Sequence, residues 1–149
     1  MYIFYIFSNM PDPYQQKQSG SLFDRLGGRE SLALLLHHFY ADARQHRLLG
    51  PIFQKHIGDW PVHLASIAEF WARATGGPSQ YRGMMPAQHF HLGLAPEHFD
   101  AWLSLWAANC RCRLPAPEAE EMIRLAGSIA RTLKNLVAVE RAQSLAALT

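Results

Sequence analysis

The sequence predicts an all-α chain folded as one domain, and three observations carry that expectation. After Leu22, apolar residues recur at three- and four-residue spacings, the pattern that lines one face of a helix. Strand-favouring residues are scarce, with only three Val and three Thr among 149 residues. Glycines and prolines gather between the periodic segments, where they punctuate helices. A chain of this length can bury one core large enough to enclose a ligand.

Residues 1–20, MYIFYIFSNMPDPYQQKQSG, show no sustained period and are expected to form a flexible tail, ahead of a domain at 21–141 and a C-terminal tail at 142–149. LGGRE at 26–30 lacks a phosphate-binding pattern and reads as a turn. A first long helix is expected over 29–45, where Leu32, Leu35, Leu36, Phe39, Tyr40 and Ala43 share a face, with Gly50-Pro51 breaking the chain beyond it. A second spans about 59–75, with Asp59 as N-cap, Pro61 in the first turn and Gly76-Gly77-Pro78 at its end. Its inner face holds Trp60, His63, Leu64, Ile67, Phe70 and Trp71. A third begins at Pro96-Glu97, turns Phe99, Trp102, Leu103, Trp106 and Cys110 inward, and stops near Leu114-Pro115. A fourth opens at Pro117 and buries Met122, Leu125, Ile129, Leu133 and either Leu136 or Val137. The connection between the second and third helices has room for one short helix at about 84–91. Connections this long are usually functional or disordered, and its two histidines favour function.

Charge and composition exclude several classes. The 14 basic and 12 acidic side chains give a net charge of +2 with no block of one sign, so neither nucleic acid nor an anionic membrane is an expected partner. The apolar run MYIFYIF is far shorter than the roughly 20 residues of a membrane span, and it lacks the basic flank and cleavage site of a secretory signal. Cys110 and Cys112, two apart on a helix, diverge too far for an unstrained disulfide; two free thiols fit a reducing cytoplasm.

Polar groups on the inner helix faces are few: Tyr40, His63 and the indole of Trp102. Buried, each needs a hydrogen-bond partner or costs about 1–3 kcal/mol, so three on facing helices invite a shared ligand. The alternative is that Tyr40 and Trp102 reach solvent with their polar tips and that His63 lies beside the apolar stripe. QHFHLGLAPEHFDAWLSLW at 88–106 raises the metal question. A haem iron needs one axial nitrogen on a short segment with an apolar wall behind it. His89 and His91, two apart, cannot both point inward, so one of them at most is axial. His98, in the first turn of a helix, is expected to be solvated. A zinc site using HFH and CRC would have spacings unlike the usual structural patterns. His37, His38, His46 and His56 show no partner pattern and read as surface residues.

SLFDRLGGRESLALLLHHFYADAR, LLGPIF, DWPVHLASIAEFW, GGPSQYRG and HFHLGLAPEHFDAWLSLW, in this order and at these separations, resemble the truncated haemoglobins. The resemblance covers about Ser21 to Val139. LGPIF, His63 and HFDAWLSLW are similar to group III, while the glycine pairs at Gly27-Gly28 and Gly76-Gly77 look like motifs of groups I and II. The resemblance implies a globin-like two-over-two helical sandwich enclosing haem b, with His89 as the proximal iron ligand. His89 lies six residues after the glycine of YRG and nine before the histidine of EHFDAW, as the family pattern places it; His91 and His98 would then be bystanders. It further implies Tyr40, His63 and Trp102 as distal groups facing a bound gas, and Phe39, Phe53 and Ile67 as haem-pocket residues.

The implied ligands are dioxygen, nitric oxide, carbon monoxide and similar small molecules. Tyr40 and Trp102 as donors would slow oxygen release and favour redox chemistry on bound ligand, such as oxidation of nitric oxide to nitrate, or peroxide or nitrite handling. No flavin or nicotinamide motif is present, so turnover would need an external reductase. Two other classes compete: a non-catalytic gas sensor or ligand-binding globin, and a haem-free helical protein whose aromatics are only core.

Overall fold

The computed structural model of the protein describes residues 20–83 and 85–148. The expected N-terminal tail lies outside them, Gly20 excepted. Among the described residues the chain forms seven helices and no strand.

Helix α1 (Leu22–Arg25) was not expected as an element of its own. Ser21 starts it: its hydroxyl accepts from the Asp24 amide at 3.2 Å while the Asp24 carboxylate accepts from the Ser21 amide at 3.3 Å, a reciprocal cap. Gly27 and Gly28, both with positive φ, turn the chain into α2 (Gly28–Gln45), as LGGRE suggested. The expectation that Gly50-Pro51 only interrupts the chain is corrected by α3 (Gly50–His56), which begins at those residues. Proline has its φ preset for a first helical turn and loses no needed amide there, so the same pair that ends one helix starts another.

Asp59 caps α4 (Trp60–Ala74) by accepting from the Val62 amide at 3.1 Å. Thr75 closes it, donating its hydroxyl to the Trp71 carbonyl at 2.6 Å. The connection beyond is ordered by α4 itself: Ser79 donates to the Glu69 carbonyl at 2.6 Å, the Gln80 amide to the Glu69 carboxylate at 2.8 Å, and Arg73 to the Tyr81 carbonyl at 2.8 Å. Short α5 (Met85–His89) follows, then α6 (Pro96–Arg113) and the 31-residue α7 (Ala116–Ala146). Residues 142–146, expected in the C-terminal tail, continue that last helix. Of the alternatives Leu136 and Val137, Val137 is the buried one.

Helix α6 packs along α7, and α2 packs on both α4 and α6. Arg25 ties α1 to α7 through Glu121 at 2.6 Å and Glu118 at 3.5 Å. The centre is aromatic. Trp71, Trp102 and Trp106 lie nearly parallel, with ring centroids 4.6–6.5 Å apart, and Phe39 meets Trp102 and Trp106 edge-on. Burying these faces drives the association of the helices. The buried side chains divide into two clusters: a large one around this aromatic centre, and a smaller one of Phe99, Leu133 and Val137.

Close approach at Gly77 sets the seat of α1. A Cβ there would stand 2.4–2.6 Å from three ring atoms of Phe23, and Phe23 is held by its backbone N–H, which donates to the Thr75 carbonyl at 2.9 Å. Gly77→Ala is expected to destabilise the protein by about 1–3 kcal/mol, the usual cost of overpacking, read by urea denaturation. An unchanged midpoint would show that Phe23 has free space to retreat into.

Candidate functional site

A cavity of about 530 Å³ is lined by residues of both clusters. Onto its lining α2 brings Tyr40, α3 Phe53, α4 His63 and Ile67, α5 His89, and α6 Trp102. Of the residues singled out from the sequence, only Phe39 is missing. It is fully buried one layer back, where its ring meets Tyr40, Trp102 and Trp106, so its expected place at the pocket edge is corrected. Adjacent positions on a helix point about 100° apart, so when Tyr40 faces the cavity Phe39 faces the core.

His89 has its orientation fixed. Its Nδ1 lies 2.6 Å from the Met85 carbonyl, one turn back on α5. A carbonyl can only accept, so Nδ1 carries the proton and Nε2 keeps its lone pair. This is how a protein prepares an imidazole for a metal. Burial holds the ring's pKa below the usual histidine value, with the Met85 bond opposing the shift and His91 adding to it.

His63 is also held low, first by burial and then by the charge of His89. Both imidazoles line the same cavity. Nε2 of His63 is buried and has no hydrogen-bond partner among the described residues. Such an orphan costs about 1–3 kcal/mol, and one on a cavity wall points to a ligand as its partner.

Tyr40 completes the polar set. It is 6% exposed, so the alternative that its hydroxyl reaches solvent does not hold. Its ring meets Phe53 at 5.6 Å and His63 at 5.9 Å, both edge-on. Burial raises its pKa above the ordinary 10.0, partly offset by a hydrogen bond from Trp102. Above pH 10 the unfolded chain releases this proton while the folded one keeps it. Stability contributed by the neutral phenol is therefore complete below pH 10 and is lost as the pH rises beyond it. In chemical denaturation at pH 9 to 11, Tyr40→Phe is expected to lose stability less steeply than the unmodified protein; parallel curves would mean that the phenol ionises freely in the fold.

The residues present fit a haem. One pinned imidazole shares the cavity with a second whose ring nitrogen lacks a partner, a phenol and an indole line it with them, and apolar walls fill the rest of a volume within the range of small-molecule pockets, about 300–1,000 Å³. Comparison with known proteins agrees. The family described as bacterial-like globin matches residues 21–135. The chain belongs to this family. The group 3 truncated hemoglobin ctb of Campylobacter jejuni is 32% identical over 114 residues, covering 73% of this chain and 90% of that protein. The crystal structure of a group III truncated hemoglobin from the same organism superposes with a TM-score of 0.69 at 31% identity, over 74% of this chain and 91% of that one. The 2/2 hemoglobin of Synechococcus sp. PCC 7002 reaches the same TM-score at 23% identity, over 79% and 98%, which extends the likeness of fold.

This globin is thus a truncated haemoglobin of the two-over-two fold, and membership in the family implies haem binding. Its remaining histidines are not all idle. His98, expected to be solvated, caps α6 by accepting from the Ala95 amide at 2.8 Å. His46, read as a plain surface residue, accepts from the Leu48 and Leu49 amides at 3.1 and 3.3 Å and so shapes the turn into α3. His56 and His91 meet edge-on at 5.6 Å on the cavity rim. Cys110 and Cys112 are free, and burial pushes the Cys110 thiol up to about 12. No group of three or more His, Cys, Asp or Glu among the described residues could hold a metal ion, which leaves the zinc alternative without a site. No helix among them is long and apolar enough to cross a membrane. The Met85 carbonyl, Phe99 and Leu133 belong to the site and were not singled out for it; Phe99 and Leu133 had been read as core faces, while a backbone acceptor leaves no mark in a side-chain pattern.

Proposed function

We propose that this truncated haemoglobin holds haem b with His89 as the axial ligand and presents bound dioxygen, nitric oxide or carbon monoxide to Tyr40, His63 and Trp102. The observation that carries the reading is the unpartnered Nε2 of His63 on the same cavity as His89, whose own Nδ1 is committed to Met85. Haem, held by His89, would supply an iron able to bind a diatomic gas. Everything else falls to the chain. Met85 keeps the His89 proton on Nδ1. Tyr40 and Trp102 bring a phenol O–H and an indole N–H to the lining, and burial keeps the phenol proton in place at physiological pH. Phe53 and Ile67 exclude water from the same space.

Donors that hold a ligand tightly suit conversion better than carriage. We infer redox chemistry on bound ligand, nitric oxide dioxygenation or peroxide or nitrite handling, with electrons from an external reductase and in the reducing cytoplasm that free thiols suit. The test is haem titration of the full chain followed by nitric oxide consumption with dioxygen and a chemical reductant. Stoichiometric haem uptake with sustained consumption supports the enzyme; uptake with one turnover only makes the protein a sensor or binder; no uptake removes the haem reading.

The donor argument has its own check. Each net hydrogen bond contributes about 0.5–1.5 kcal/mol, and roughly 1.4 kcal/mol is a factor of ten. Tyr40→Phe and Trp102→Leu are therefore each expected to speed oxygen dissociation about two- to tenfold by stopped flow. Unchanged rates in both would leave the two groups with no part in holding the gas.

A further inference from the structure

A second recess of about 620 Å³ opens on the surface beside the haem cavity, between the C-terminal half of α4, residues 81–83 of the connection, α5 and the middle of α7. Phe70, Tyr81, Met85, Ile129 and Leu133 form a wall common to both spaces, so the two lie back to back. Neither His63 nor His89 lines this groove.

Its chemistry is amphipathic. The floor is apolar, made by Phe70, Ala74, Pro86, Leu125, Ile129 and Leu133. Two guanidinium groups, Arg73 and Arg82, stand on one rim, with Ser128 and Thr132 on the α7 side. Arg73 spends one nitrogen on the Tyr81 carbonyl at 2.8 Å. Arg82 is exposed and has no ion pair or hydrogen bond among the described residues. The rim carries no acidic side chain to compete for it. One uncommitted guanidinium offers the planar fork that a single carboxylate fills with two parallel hydrogen bonds, and the apolar floor below calls for a hydrocarbon body.

We propose that this groove binds a long-chain carboxylate, its head on Arg82 and its chain along the α4–α7 floor, alongside an occupied haem pocket. The volume is within the range of small-molecule pockets, about 300–1,000 Å³.

Sodium dodecanoate, titrated calorimetrically into the full chain with and without haem, tests this. One saturable site of similar strength in both forms is expected. Arg82→Glu should weaken it by about tenfold or more, since it exchanges a charge-assisted bond for a repulsion. Thr132→Trp should abolish it by filling the groove from an exposed helical position, and dodecanol, lacking the charge, should bind more weakly than dodecanoate. Circular dichroism checks that both variants fold; should Thr132→Trp fail to, Arg82→Glu and the dodecanol comparison still decide. Absence of saturable binding, binding indifferent to Arg82→Glu, or binding seen only without haem and displaced by it, would each overturn the proposal. The last result would assign dodecanoate to the haem cavity instead.

Discussion

His89→Gly, supplied with haem, is expected to lose the spectrum of an imidazole-ligated ferrous haem and to regain it when free imidazole is added. Nothing else on that side of the cavity can substitute. His91, two residues on, is exposed and meets His56 at the rim, and His98 has its Nδ1 committed to the Ala95 amide. The glycine leaves a hole the shape of the lost ring, which imidazole can fill while still using the Met85 carbonyl for its N–H. His91→Gly is the control, expected to keep the native spectrum. The experiment also separates the two faces of the cavity. If His63 were the stronger ligand, His89→Gly would keep an imidazole-bound iron without any addition, and the proximal and distal assignments would have to be exchanged.

Much of this site was legible because burial obeys geometry. A helix that buries one face must repeat apolar residues every three or four positions, and that rule located α2, α4, α6 and most of α7 and put Tyr40, His63, Ile67 and Trp102 on inner faces. It fails where local chemistry has two outcomes. Gly50-Pro51 can end a helix or begin one, and which occurs depends on the turn that His46 organises, a contact between a side chain and backbone amides that no period records. The end of α7 was missed for the opposite reason: beyond Val137 no described residue is buried, so a stretch of good helix formers (Ala, Glu, Arg, Gln, Leu) continues the helix on backbone propensity without an inward face to announce it. Phe39 shows a finer limit. Periodicity places a residue on the core side of its helix, but only the packing of α6 against α2 decides whether that side meets the cavity or the Trp106 stack behind it.

That stack carries the second large effect. Trp106 is fully buried, lies against Trp71 at 4.6 Å and Trp102 at 5.1 Å, and donates its indole N–H to the Met122 carbonyl at 3.4 Å. It therefore joins α4, α6 and α7 at one point. Trp106→Ala is expected to cost about 3–5 kcal/mol, the range for removing a large aromatic from a core, out of a total that for domains of this kind is about 5–15 kcal/mol. Leu145→Ala, at a 61% exposed position near the end of α7, should change stability by no more than about 0.5 kcal/mol. Trp102→Leu, with one edge on the cavity and a smaller loss of volume, should fall between them. Chemical denaturation of the three variants checks the order. The sequence Trp106, Trp102, Leu145 in falling cost would establish that the indole stack is the structural wall on which the distal pocket rests, since Trp106 stacks on Trp102 and Trp102 lines the cavity. Equal costs for the two tryptophans would instead mean that Trp102 bears as much of the core's load as Trp106, and that the pocket wall and the core are one layer.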